Sequence, residues 1–328
     1  MIAFGPVPSR RLGQSMGVNN IPPKICTYSC AYCQLGRTIK VQVKRQAFYE
    51  PTDILQEVGE KIAAARDRGE PIDYLTFVPD GEPTLDARLG REIRLLKPLG
   101  IPIAVITNAS LIWQPEVRED LMEADWVSLK VDAVQEPVWR RIDHPHRSLQ
   151  LAAILEGALA FAHSFGGRLV TETMLVAGIN DGEAHLSEVA DLLSRLQPAV
   201  AYLAVPTRPP AERELRPPDA ASLNRAYQLV SSKAPRVEYL IGYEGDAFAS
   251  TGDPRVDLLS ITAVHPMRED AVDTFLARAG EDRSTLHDLL GQGQLVETAY
   301  QGHKFYLREL RQGTRSRDPA SAARQTRA

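Results

Sequence analysis

Cys26-Thr27-Tyr28-Ser29-Cys30-Ala31-Tyr32-Cys33 contains all three cysteines of the 328-residue chain. The spacing is C-x3-C-x2-C. An odd set of thiols packed into one tight loop is poor material for disulfides. It is good material for an iron–sulfur cluster, because such a loop brings its thiolates onto separate irons. A cubane has a fourth iron, and no cysteine is left to take it. That open position predicts a reaction centre rather than an electron wire.

Around the loop, short apolar strands alternate with helical stretches. Strands are expected at 15–21, 74–78, 103–107, 126–131, 168–176, 200–205 and 237–241. They run almost without polar interruption, as strands buried on both faces do. Helices are expected at 52–68, 86–97, 115–123, 148–164, 183–196 and 219–232, with Thr52 or Asp53, Asp86 and Asp219 as caps. The alternation predicts right-handed crossovers and a parallel sheet, in an α/β fold of the partial (β/α)6, TIM-like kind. Chemistry is then expected at the C-terminal ends of the strands.

The domain reading is a barrel over 1–241, a linker or lid over 242–256, a small winged-helix-like module over 257–310 and a disordered tail over 311–328. Within the module, helices at 268–279 and 284–290 precede strands at 295–300 and 304–308. The second helix, Ser284-Thr285-Leu286-His287-Asp288-Leu289-Leu290, has no Arg or Lys, and residues 257–310 carry nine acidic against five basic residues. Duplex DNA binding draws most of its affinity from phosphate contacts, so the module is expected to be structural or partner-docking.

Hydrophobic content of 44% and charged content of 24% are those of an ordinary globular protein. No apolar run is long enough to span a bilayer, and no signal pattern opens the chain, so a reducing cytoplasmic setting is expected. The net charge of −4 hides an asymmetry: the first fifty residues hold seven basic residues against Glu50 alone. Arg10 and Arg11 are therefore candidates to hold an anionic substrate.

Polar residues at strand ends inside an apolar barrel are costly unless they meet a ligand or each other. Asn108, Ser128, Lys130 and Asp132 qualify. Lys130 is suited to a ligand carboxylate or a substrate anion, and Asp132 to pairing with Lys130 or to substrate. Glu172 on the next strand and Arg208 beyond the last are further substrate candidates. His144 and His146 fall in a proline-containing loop and are expected at the surface.

The cysteine motif resembles that of the radical S-adenosylmethionine (SAM) superfamily. Phe4-Gly-Pro-Val-Pro-Ser-Arg-Arg-Leu-Gly13 and Tyr32-Cys33-Gln-Leu-Gly36 resemble a less characterised branch, usually grouped near the wyosine-tRNA radical enzymes. The resemblance implies a [4Fe-4S] cluster on Cys26, Cys30 and Cys33, with SAM chelating the fourth iron. It places Tyr32 near the cluster or the SAM adenine. Pro79-Asp80-Gly81-Glu82-Pro83 resembles the superfamily's Gly-Gly-Glu motif, which receives the SAM amino group, although Asp80 stands where the first glycine is usual.

The implied reaction is reductive cleavage of SAM to a 5′-deoxyadenosyl radical that abstracts hydrogen from a substrate, with the electron coming from an external flavodoxin- or ferredoxin-type donor. Absence of further cysteines argues against auxiliary clusters and excludes a cysteine radical acceptor. The expected substrate is anionic, nucleotide- or RNA-like. The alternatives are a glycyl-radical activase, a small-molecule lyase, or an iron–sulfur redox sensor with a winged-helix output.

Overall fold

The computed structural model describes residues 2–241, 248 and 253–309. Strands β1 (Ala3–Ser9) and β2 (Gly13–Val18) form a hairpin, and a short ribbon follows, β3 (Ile25–Cys26) with β4 (Lys40–Val41). Then come α1 (Pro51–Asp67), β5 (Tyr74–Phe77), α2 (Leu89–Leu96), β6 (Ile103–Thr107), α3 (Pro115–Leu121) and β7 (Trp126–Lys130). The alternation continues through α4 (Glu136–Asp143), α5 (Leu151–Ser164), β8 (Arg168–Met174), α6 (Glu183–Leu196), β9 (Val200–Ala204), α7 (Ala220–Ser231) and β10 (Val237–Leu240).

The main sheet runs β1-β2-β5-β6-β7-β8-β9-β10. All of it from β2 onward is parallel, and β1 pairs antiparallel at the edge. This is the expected partial barrel, with one strand more than the sequence suggested. Strand β1 carries Pro6 and Pro8, which suit an edge. Phe4 lies opposite Gly17, where a Cβ would sit 1.9 Å from the ring. The inner face is closed by Leu12, Trp126, Val170, Tyr202 and Leu240, and the outer face packs on the helices through Val127, Leu129 and Leu203.

The expected cap of α1, Thr52 or Asp53, is displaced. Pro51 opens the helix at the position where its missing N–H costs nothing, Glu50 precedes it, and Thr52 and Asp53 fall inside. Asp86 sits three residues before the start of α2 and accepts the Arg88 N–H at 2.7 Å. Asp219 caps α7, accepting the Ser222 N–H at 2.7 Å.

The C-terminal part contains α8 (Pro254–Val264), β11 (Met267–Arg268), α9 (Glu269–Arg278), α10 (Arg283–Gly291), β12 (Leu295–Tyr300) and β13 (His303–Arg308), with sheet order β11-β13-β12. Its helical structure starts at Pro254, ahead of the expected boundary at 257. The rest of the 242–256 connector, apart from Phe248, and the 311–328 tail lie outside the described residues. Leu258, Ile261, Val272, Phe275 and Leu286 share one core cluster with Phe4 and Val7 of β1. Lys61 pairs with the buried Asp257 at 3.0 Å, and the Tyr300 hydroxyl donates to the Pro206 carbonyl at 3.1 Å. Barrel and module are thus one packed body. Among the described residues, no helix is long and apolar enough to cross a membrane.

Candidate active site

The cysteine loop leaves β2 and is tied at both ends. Ile25 bridges Gly81 on one side and pairs with Lys40 on the other. The end of α4 and the turn after it hold the middle: Ser29 N–H donates to the Asp143 carbonyl at 3.1 Å, Ala31 N–H to the Ile142 carbonyl at 2.9 Å, and His146 N–H to the Thr27 carbonyl at 2.9 Å. Tyr28 is buried, packs edge-on to Trp139, and accepts the indole N–H at 3.1 Å. His144 and His146 lie toward the surface, where His144 meets Glu212 at 3.1 Å.

The thiols sense their burial. Desolvation, with Glu82 nearby, pushes Cys26 up to about 12. Burial, with Asp143 beside it, raises Cys30 well above the ordinary thiol, and burial raises Cys33 against the pull of Lys24. Cys30 lies within electrostatic reach of both other cysteines. Among the described residues no set of His, Cys, Asp and Glu forms a single-ion site. A cubane asks for something else, three soft ligands that each take their own iron. Asn108 Nδ2 lies 3.5 Å from Cys26 Sγ and donates to Thr27 Oγ1 at 2.8 Å, the kind of outer contact that orients a sulfur ligand. The loop therefore fits the cluster its spacing implies, and its protonated thiols must release protons on loading.

The Pro79–Pro83 segment faces this loop. A Cβ on Gly81 would sit 1.9 Å from the Ile25 carbonyl oxygen, so glycine is needed for the close approach of two backbones. Asp80 lies 3.6 Å from Lys24, and its carbonyl accepts the Lys24 N–H at 2.7 Å. Burial lifts the Asp80 carboxyl to about 6, with Lys24 pulling the other way. Glu82 is fully buried and already engaged: Oε1 accepts from Thr84 Oγ1 and Thr107 Oγ1, each at 2.6 Å, and Oε2 accepts the Asn108 N–H at 2.8 Å. Through these bonds Glu82 pins the β6 exit beside the cysteine loop.

Lys130 ends β7 and meets Glu172 on β8 at 2.7 Å, with Asp132 at 3.9 Å and the Tyr32 ring beneath it at 4.8 Å. Tyr32 donates its hydroxyl to Asp132, which also accepts the Met174 N–H at 2.6 Å. Ser128 is buried one pleat before Lys130 on the same strand face. Arg11 reaches Glu172 from the β1–β2 turn, passing over Trp126 at 6.0 Å. Arginines 10 and 11 therefore enter from the N-terminal ends of the strands, not from the mouth where the other candidates cluster. Burial alone would raise Glu172, but Arg11 and Lys130 overcome it and hold the carboxyl at about 2. Arg208 donates to Gln34 Oε1 at 2.8 Å and lies 2.7 Å from His265 Nε2, a contact with the C-terminal module.

These side chains converge on a cavity of about 260 Å³ lined by Arg10, Arg11, Cys33, Lys130, Glu172 and Arg208, among others. Sequence reasoning missed Asp143 and His265. Asp143 ends a short helix that was not foreseen, and its carboxyl interacts with Cys30. His265 comes from a segment placed in another domain.

Residues 20–193 match the Radical SAM superfamily. The fold resembles that of a radical SAM methyltransferase from Sphaerobacter thermophilus, with a TM-score of 0.52 at 17% identity, covering 69% of this chain and 66% of that one. The chain belongs to the radical SAM superfamily. Within it, the chain is 42% identical over 312 residues to the UPF0026 protein MJ1312 of Methanocaldococcus jannaschii, covering 94% of this chain and 97% of that protein. A UPF0026 protein of Helicobacter pylori is 36% identical over 211 residues, covering 63% of this chain and 67% of its own length. The chain is thus a radical SAM enzyme that uses a [4Fe-4S] cluster and SAM.

Proposed function

We propose that this enzyme acts on a compact anionic substrate, nucleotide- or RNA-like, held in the barrel lumen. The observation that carries the reading is the lining of the 260 Å³ cavity, where Arg10, Arg11, Lys130 and Arg208 surround a single carboxylate, Glu172. When bound, the cluster and SAM supply a hydrogen-abstracting radical, with the electron coming from an external reductant.

This chain's residues do the rest. Cys26, Cys30 and Cys33 hold the cluster. Gly81 and Asn108 keep the motif backbone against Cys26, and Glu82 fixes Asn108. Tyr32, Asp80, Ser128 and Lys130 are assigned to the SAM side of the lumen. Arg10, Arg11, Asp132, Glu172 and Arg208 are assigned to the substrate side. Glu172 keeps Arg11 and Lys130 extended into the lumen, and the apolar layer around Leu12 and Trp126 excludes water from below.

The C-terminal part is read as winged-helix-like from its order of helix, strand, two helices and two strands. Its role in this reading is to wall the lumen through His265, with no duplex reading. Reduced thiols and an oxygen-sensitive cluster favour the cytoplasm.

The test is anaerobic turnover with a panel of nucleoside phosphates and short RNAs, read as deuterium carried into 5′-deoxyadenosine. Arg10→Gln combined with Arg208→Gln should raise the substrate KM while sparing substrate-free SAM cleavage. Stimulation by neutral or cationic compounds alone would overturn the reading.

A further inference from the structure

Strand β3 carries Cys26, and its partner β4 is exposed along its length. Strand β4 hydrogen-bonds directly to the strand that carries Cys26, and Gln42 N–H donates to the Cys26 carbonyl at 3.0 Å. Paired strands lie about 5 Å apart, so the surface at β4 is a single strand away from a cluster sulfur. That surface is apolar at its centre, where Ile39 is 65% and Val41 37% exposed.

Its charge follows from a census of the seven cations before residue 50. Arg11 pairs with Glu172, Lys24 with Asp80 and Arg45 with Asp120, and Arg10 lines the lumen. Arg37, Lys40 and Lys44 remain, exposed and with no ion pair among the described residues. Beside the ribbon runs a groove of about 510 Å³, lined by Lys24 and Ile39 on one side and by Leu259, Gln294, Arg308 and Glu309 of the C-terminal part on the other.

We propose that this ribbon and groove form the docking surface for an acidic one-electron carrier protein. An apolar centre with a basic rim is the complement of a carrier whose cofactor edge is ringed by carboxylates. One electron leaves the reduced carrier and one is gained by the cluster behind β3; no proton or group moves. The lumen, with its own cations, shares no lining residue with this groove, so electron entry and substrate entry use separate openings. The inference rests on the three cysteines holding the cluster and is independent of the substrate.

The experiment titrates the cluster-loaded, full-length protein with a strongly acidic flavodoxin, without substrate. Binding should weaken with salt, and Lys40→Glu with Lys44→Glu should raise Kd about tenfold at low ionic strength. Electron paramagnetic resonance should show slower cluster reduction by the reduced flavodoxin in that variant, with dithionite reduction and iron content unchanged. The neutral pair Lys40→Gln and Lys44→Gln should fall between parent and reversed variant. Unchanged flavodoxin affinity and reduction rate in both variants would overturn the proposal. So would a loss of affinity for a short RNA with flavodoxin binding intact, which would assign the patch to nucleic acid.

Discussion

Gly81 carries a constraint that its motif alone does not reveal. The superfamily resemblance suggests a small residue that admits SAM, so a larger one would block the ligand and spare the cluster. The structure instead places its missing Cβ against the carbonyl of Ile25, the neighbour of Cys26. Gly81→Val should therefore push the cysteine loop away and lose the cluster itself. After anaerobic reconstitution the parent should hold about four irons per chain and the variant far fewer; a fully loaded variant would refute this. A second residue-scale case lies behind the motif. Glu92 is fully buried and receives Asn20 Nδ2 at 3.2 Å. Burial, with Asp86 beside it, lifts its carboxyl from an ordinary 4.5 to about 9. The proton is favoured by folding, so this stability is complete below pH 4.5 and is lost as pH rises through about 9. Glu92→Gln keeps the shape and a donor without the ionisation. Its Tm should match the parent at pH 5 and exceed it by about 2 °C at pH 8.5. An equal Tm difference at both values would contradict the assignment.

Among the elements, what the sequence revealed and what it hid have a common physical basis. Strands buried on both faces announce themselves as apolar runs, and β5 to β10 fall where those runs lie. Strand β1 does not, because Pro6, Pro8 and Gly5 interrupt it and its partner is an edge pairing set by tertiary contact. Helix α4 also escapes notice. It is short, has proline near its start and carries charge along its length. Yet α4 and the turn after it hold the cysteine loop, and the contact that matters most is Trp139 against Tyr28. Trp139→Ala should cost about 3–5 kcal/mol of stability and speed iron loss to a chelator. Trp139→Phe keeps most of the packing and loses one hydrogen bond, at a cost of about 1 kcal/mol. If both variants release iron at the parental rate, α4 does not support the loop. The site shows the same division. Spacing singled out the three cysteines, and strand-end polarity singled out Asn108 beside Cys26 and Lys130 beside Asp132. Neither signal reaches Asp143, whose role depends on where a loop returns.

Over the whole molecule, the charge asymmetry of the sequence resolves into distinct uses that only tertiary structure separates. Some N-terminal cations are consumed by buried carboxylates far along the chain, and others stay at the surface. The domain division resolves in a similar way. A small module following a connector reads as a separate unit, but Phe4 and Val7 of β1 lie in the same core cluster as Leu258, Ile261 and Phe275. The module therefore covers the outer face of the first strand, while Tyr300 and His265 reach the exit of β9. An independent domain would leave a polar surface when removed. This one would uncover two buried apolar side chains and remove the His265 contact from Arg208. A chain ending at Ile241 should expose that face, bind a hydrophobic dye and associate on gel filtration. In the full chain, Lys61→Ala should weaken the same seam by roughly 1–3 kcal/mol, because Asp257 stays buried after the ammonium at 3.0 Å is gone. A monodisperse, cooperatively melting 1–241 fragment that still loads its cluster would show that the barrel stands alone and would undo this account of the seam.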